Sequence, residues 1–330
     1  MRVSIAIDHS FLQNDGKRTI KIVNTYVKGR LNMSQDLLQT GTNELEIIIF
    51  TVGKETFAMN VMKVREIIQP IPVTSVPNSH PHVEGLIRLR DEVLSLVDLY
   101  KVLGELRAEE ATEDKFIVGE LNRMKVAFRV EKVSNIHRIS WSDIEKPTDL
   151  SQGLEGLVTG VVKVDDKLIL LLDFEKIVVD INPETGIHPR QIEGLENKNR
   201  STKKLVIAED SVMLRKLLHD TLTAAGYEKL TFFENGEEAF AYLNHEKEEG
   251  TLFDNVDLVI TDVEMPQMDG LHLTKKIKQD EVMGNVPVVI FSSLITKDIY
   301  FQGESVGADG QISKPEIAQL VKLIDELLHV

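Results

Sequence analysis

The 330 residues include no cysteine and one tryptophan, and aromatic residues make up only 5%. The missing thiols exclude a disulfide framework, a zinc–thiolate site and a cysteine nucleophile. No uncharged apolar run approaches the ~20 residues that a bilayer span requires, and no secretory signal pattern opens the chain. Basic residues are also in deficit: 38 Lys and Arg face 53 Asp and Glu, for a formal net charge of −15. A field of that sign repels phosphate backbones and anionic lipids, so neither nucleic-acid binding nor direct membrane insertion is expected. What remains is expected to be a soluble cytoplasmic protein. Its length exceeds the ~250–300 residues at which single cores stop growing, which predicts roughly two domains.

Charge is unevenly shared between them. From Lys203 to Val330 there are 12 basic and 23 acidic residues, so eleven of the fifteen net negative charges belong to a separate, acidic second domain. Residues 181–202, with Pro183, Gly186, Pro189 and Gly194 among polar neighbours, keep neither a period of 2 nor one of 3.6 and read as a linker. Residues 1–42 read as an amino-terminal extension, and its first 32 residues hold six basic residues against Asp8 and Asp15. Two explanations stand side by side: translation starts at Met33, or the segment is a basic arm without fixed structure.

Between residues 43 and 180, apolar runs of strand length recur at Leu45–Val52, Val93–Val97, Lys115–Val118, Met124–Val130, Leu157–Val162 and Lys167–Leu172. Turn residues separate them, the pattern of an all-β sandwich or barrel. Short helices are expected at Asn60–Ile68, where Val61, Val64, Ile67 and Ile68 share a face, and near Leu99–Leu103. From residue 203 to 330 the pattern changes. Buried-type strands at Leu205–Ala208, Leu230–Phe233, Leu258–Thr261 and Val286–Phe291 alternate with helices at Ser211–Ala225, Gly236–Asn244, Gly270–Lys278 and Pro315–Leu328. That alternation predicts an α/β doubly wound parallel sheet, whose ligands sit beyond the carboxyl ends of the strands.

The polar residues at those ends form a set. Glu209 and Asp210 follow one apolar strand and Asp262 follows another; gathering three carboxylates is costly unless a cation neutralises them. Oxygen-only ligands select a hard ion, and Mg²⁺ is the usual choice. Ser292 and Lys314 end two further strands. A hydroxyl and an ammonium beside such a cluster are what a carboxylate nucleophile needs to accept a phosphoryl group. Each of these residues alone is an ordinary strand end or turn; the five together, in this order, are not.

This set resembles the receiver domain of two-component response regulators over essentially all of residues 203–330. The resemblance implies that Asp262 is the phosphoacceptor, Ser292 the switch hydroxyl and Lys314 the phosphoryl-stabilising ammonium. It also implies a Mg²⁺ site made by Glu209, Asp210, Asp262 and the backbone carbonyl of Glu264. One departure stands out: Gln311 occupies the place, three residues before the lysine, where receivers commonly carry an aromatic.

The first domain shows no phosphate loop or serine elbow, and His80-Pro81-His82 lacks a third metal ligand at useful spacing. Val64-Arg65-Glu66-Ile67, Gly85-Leu86-Ile87-Arg88-Leu89-Arg90, Leu96-Val97-Asp98-Leu99 and Leu157 to Lys176 resemble the CheW family of chemotaxis coupling proteins. That likeness implies two SH3-like β-barrels and partner contacts at Val64, Glu66 and Arg90. For Val64, core packing explains the residue equally well. Arg88 and Asp91 depart from the family's usual Asn-x-Arg-Gly, so the turn there is expected to differ.

Together the domains resemble the CheV arrangement: a multidomain chain in which an all-β coupling domain precedes a flavodoxin-like (βα)₅ receiver. The resemblance implies a non-enzymatic adaptor at membrane-associated chemoreceptor arrays. Its partners would be the histidine kinase CheA, the cytoplasmic tips of methyl-accepting chemoreceptors and CheW. With the sequence closing after the receiver's last helix, phosphorylation is expected to act on the coupling domain itself. One rival reading is a phosphate sink for CheA, tethered by the coupling domain. Another is a Mg²⁺-dependent phosphatase, for which Glu264 would have to serve as a second acid.

Overall fold

The computed structural model describes residues 43–107, 114–121, 124–145, 156–192, 195, 198–294 and 297–330. The extension 1–42, with the choice between Met1 and Met33, lies outside the described residues.

Among the described residues, eleven strands build the first domain. They are β1 (Glu44–Val52), β2 (Glu55–Asn60), β3 (Val64–Ile68), β4 (Val73–Thr74), β5 (Val83–Leu89), β6 (Glu92–Asp98), β7 (Lys115–Leu121), β8 (Met124–Val130), β9 (Lys132–Ser140), β10 (Val158–Val164) and β11 (Lys167–Leu172). They form a five-stranded sheet ordered β10-β11-β2-β1-β9 and a six-stranded sheet ordered β3-β7-β8-β6-β5-β4. Among the described residues, the β11–β2 and β6–β8 pairings are parallel and the others in these two sheets antiparallel. Helix α1 (Leu99–Leu103) follows β6, and α2 (Phe174–Ile181) closes the domain.

β1 carries the unbroken apolar run Ile47–Phe50 because both its faces are covered there. Ile48, Phe50 and Val52 enter a core shared with Phe57, Phe128 and Phe174, while Leu45, Ile47 and Ile49 pack with Trp141, Ile144 and Leu171. Phe174 of α2 meets Phe128 edge-on, with ring centroids 4.8 Å apart, a favoured aromatic geometry.

The helix expected over Asn60–Ile68 is not formed. Asn60 caps a single 3₁₀ turn at Val61–Lys63, and the chain then enters β3. Val64 and Ile67 are both buried although three residues apart, because the β3–β7 register shifts between Val64 and Glu66. A bulge of that kind inserts one residue and breaks the period of two, so a strand mimics helical spacing.

The second domain follows the doubly wound expectation. Strands β12 (Lys204–Ala208), β13 (Lys229–Phe233), β14 (Leu258–Thr261), β15 (Val288–Ser292) and β16 (Gly310–Ser313) pair in parallel in the order β13-β12-β14-β15-β16. Between them run α3 (Val212–Ala224), α4 (Gly236–Glu248), α5 (Leu252–Asn255), α6 (Gly270–Gln279) and α7 (Lys297–Ser305), and α8 (Ile317–Leu327) ends the chain. Helices cover both faces: α8 and α3 supply Ile317, Leu320, Leu218 and Leu222 to one core, and α4 and α6 supply Ala239, Leu243, Leu273 and Ile277 to the other. Pro315 falls just before α8 rather than in its first turn, after a cis Lys314–Pro315 bond.

The segment read as a linker divides between the domains: Ile181 ends α2 and packs on the first domain's core, and Ile192 and Leu195 pack on the second. Ile187 joins that domain's core. The Arg200 guanidinium grips Asp325 of α8 through two hydrogen bonds of 2.7 Å, and Tyr227 donates to the same carboxylate. Among the described residues, no helix is long and apolar enough to cross a membrane.

Candidate functional site

Parallel β12 and β14 end side by side, Ala208 opposite Thr261, which brings Glu209 and Asp210 next to Asp262. A carboxylate oxygen from each lies within 4.8 Å of the others. β15 and β16 end alongside, delivering Ser292 and Lys314. The five residues expected from separate strand ends therefore meet at one end of the sheet. Ser292 is wholly buried, and Asp262 and Lys314 are 7% and 2% exposed.

Lys314 Nζ stands 2.7 Å from Asp262 and 2.8 Å from Glu209. Burial opposes its charge, but Asp262 and Glu209 outweigh that and hold the ammonium well above its ordinary value. Burial pushes the Glu209 carboxyl up to about 7, with Asp262 adding to the rise. Asp210 is raised well above the carboxylate range by burial, then by Glu209 and Asp262, and among the described residues no donor reaches its carboxylate. Lys314 thus pairs with two of three clustered carboxylates and leaves the third unpaired. An all-oxygen donor set with one uncompensated carboxylate fits a hard divalent cation.

Local chemistry fixes the loops. The Val263 N–H donates to Asp262 Oδ1 at 2.6 Å. Arg215 donates to the backbone carbonyls of Glu209 and Asp210 and holds the acidic turn. Gly270, which opens α6 behind its cap Asp269, is required sterically: a Cβ there would lie 1.7 Å from the Asp262 carbonyl oxygen. Gln311, in the position where receivers commonly carry an aromatic, reaches sideways to donate to the Tyr300 carbonyl at 2.7 Å.

The sequence gives no sign that the first domain reaches this site. Lys63, from the 3₁₀ turn, bridges Glu264 at 2.6 Å and Glu175 of α2 at 2.8 Å. Its ammonium is raised because Glu175 and Glu264 outweigh the cost of burial. Asn60 donates to the Glu264 side chain at 2.7 Å, and Ser293 donates to Glu175 at 2.5 Å. Asn43 donates to the Gln267 carbonyl and accepts from the Asp269 N–H, while the Trp141 carbonyl accepts from the Gln267 N–H. Asp173, Glu175 and Glu264 line the same cavity as Glu209, Asp210 and Asp262, a space of about 50 Å³. The Glu264 side chain is thus bonded to the first domain, through Lys63 and Asn60.

The three positions expected to contact partners lie elsewhere. Val64 packs in the first domain's core at 4% exposure. Glu66 and Arg90 form an ion pair at 2.8 Å, with the Arg90 side chain 65% exposed. The β5–β6 turn places its left-handed residue at Arg90, φ 55°, and not at Asp91.

The family model of the CheW-like domain matches residues 46–182, and that of the response regulator receiver domain matches residues 205–325. Chemotaxis protein CheV1 of Helicobacter pylori is 26% identical over 310 residues, covering 87% of this chain and 94% of the relative. CheV2 of the same organism is 28% identical over 307 residues, covering 87% and 95%. Over the first domain, chemotaxis protein CheW of Thermotoga maritima is 30% identical across 150 residues, which is 46% of this chain and 98% of that one.

Proposed function

Because the chain belongs to the CheV-type chemotaxis coupling proteins, a CheW-like domain joined to a receiver domain, we propose that it couples chemoreceptors to the kinase CheA and that phosphorylation of Asp262 adjusts this coupling. The observation that carries the reading is the buried Asp262 carboxylate held by Lys314 beside Glu209, Asp210 and Ser292. In the transfer step, the P–N bond of a phosphohistidine donor breaks as a P–O bond forms to the Asp262 carboxylate; the departing imidazole keeps the N–P electron pair and takes up a proton. Lys314 neutralises the incoming oxygens, and the Ser292 hydroxyl hydrogen-bonds one of them.

Glu209, Asp210, Asp262 and the Glu264 backbone carbonyl are the residues that would hold Mg²⁺. When bound, the ion supplies charge neutralisation for the phosphoryl oxygens. The Glu66–Arg90 pair, with Arg90 exposed and Glu66 half-buried, is the proposed contact for receptor or kinase, and the working location is the cytoplasmic face of the receptor array. The Glu264 side chain, the second acid that a phosphatase reading needs, is bonded to Lys63 and Asn60 of the first domain, which favours an adaptor over a phosphatase. Contact between the acidic site and the first domain favours modulation over a passive phosphate sink.

Reconstituting kinase activity from receptors, CheA and this protein tests the reading. Wild type should pick up Mg²⁺-dependent label from phospho-CheA and shift kinase output, whereas Asp262→Ala should still bind receptors, take no label and leave output fixed. Persistent label on Asp262→Ala would overturn the assignment.

A further inference from the structure

The two loops that carry the proposed phosphoacceptor and its hydroxyl partner are both held by the first domain. After β14, Glu264 takes Lys63 and Asn60, and residues 267 and 269 take Asn43 and the Trp141 carbonyl. After β15, Ser293, next to Ser292, donates to Glu175. Met62, on the same turn as Lys63, packs against the receiver cluster of Val263, Leu271, Leu294 and Ile299. A polar and apolar contact set thus covers the mouth of the site.

The space left beneath is small. Its volume of about 50 Å³ has room for a few waters, at ~10–15 Å³ of such space each, so a phosphoryl group together with a divalent ion that keeps several waters would have to displace the first-domain residues that line it. A donor imidazole cannot come within the ~3–3.5 Å that in-line attack requires while the first domain occupies the approach. Charge acts in the same direction. Asp173, Glu175 and Glu264 line the cavity together with Glu209, Asp210 and Asp262, and Lys63 and Lys314 are the cations bonded to this ring. A phosphoryl group on Asp262 adds anionic charge to a cavity that Asp173 and Glu175 also line.

We propose that the CheW-like domain is a lid on the receiver's phosphoacceptor pocket, latched by Lys63 between Glu175 and Glu264, so that domain closure and phosphorylation of Asp262 exclude one another. The proposal rests on the reading of Asp262 as phosphoacceptor. By linkage, whatever tightens the closed state slows transfer, and the phosphorylated receiver releases the first-domain face made by Asn43, Asn60, Met62, Lys63, Trp141 and Glu175.

The absence of native cysteine allows a direct test on the full chain. In a Glu175→Cys/Ser293→Cys variant, mild oxidation should close a disulfide across the interface. The oxidised protein should accept label from phosphorylated CheA at least tenfold more slowly than the same protein after reduction. A Lys63→Ala variant with no added cysteines should label several-fold faster than wild type. Equal labelling in the oxidised and reduced states, or in Lys63→Ala and wild type, would overturn the lid. Absence of label in the reduced variant, in Lys63→Ala and in wild type alike would instead overturn the phosphoacceptor reading, and the lid with it.

Discussion

Replacing Asp210 by asparagine should make the cation-free protein more stable, although the change removes a charged residue from the centre of the site. Each pair of carboxylates in the cluster approaches to 4.8 Å or less, which at an effective dielectric near 20 is a repulsion of about 3 kcal/mol or more. Lys314, bonded to Glu209 and Asp262, offsets those two charges and leaves Asp210 opposed by both. In wild type, proton uptake relieves part of this repulsion, since burial, Glu209 and Asp262 hold the Asp210 carboxyl well above its usual range. The remaining gain for Asp210→Asn is about 1–3 kcal/mol at pH 8 in EDTA. Hydrogen exchange of β12 and β14 amides reads the stability of this domain separately from its neighbour. Mg²⁺ should reverse the ranking: at a thousandfold excess over Kd wild type gains about 4.1 kcal/mol, more than its deficit in EDTA, and the variant gains little. A loss of protection for Asp210→Asn in EDTA, or equal Mg²⁺ gains in both proteins, would refute the picture of an uncompensated third carboxylate.

Two further outcomes follow from buried contacts near the site. Gly270→Ala places a Cβ 1.7 Å from the Asp262 carbonyl oxygen, where only backbone movement can relieve the clash; receiver amides should lose about 3 kcal/mol of protection, and a loss under 0.5 kcal/mol would contradict the packing. Burial works against ionisation of Asp325, but Arg200 and Tyr227 hold its carboxyl below the ordinary value, so its contribution to stability is present above the unfolded value near pH 4 and is lost as pH falls through the lower folded one. Asp325→Asn should cost about 3–5 kcal/mol at pH 7, because Arg200 is left buried without its partner, and should flatten the acid limb of the receiver's stability curve; an unchanged acid limb would show that Asp325 does not set it.

The receiver site is readable from sequence because its members stand at the ends of short strands, three of them largely apolar, and parallel pairing carries all such ends to one side of the sheet. Glu209, Asp262, Ser292 and Lys314 need no long-range information beyond that rule. Residues 60–68 mislead for a local reason. A bulge in β3 gives Val64 and Ile67 the spacing of a helix face, and no feature of the sequence distinguishes the two. The interface was illegible for a different reason. Lys63, Glu175, Glu264 and Ser293 come from four distant segments, and each taken alone is an ordinary polar residue in a turn or on a helix. Only their juxtaposition places an ammonium between carboxylates of two domains.

That placement bears on what the contact is for. A buried ion pair contributes little net stability, because desolvation consumes most of its Coulomb energy, yet losing one partner is costly. Lys63 is therefore a weak way to glue two domains together and a sensitive way to report a change of charge beside Glu264. If the interface served only to hold the domains, apolar contacts of the kind Met62 makes would do so better. A charged latch two residues from Asp262 ties the energy of closure to the charge of the site it covers.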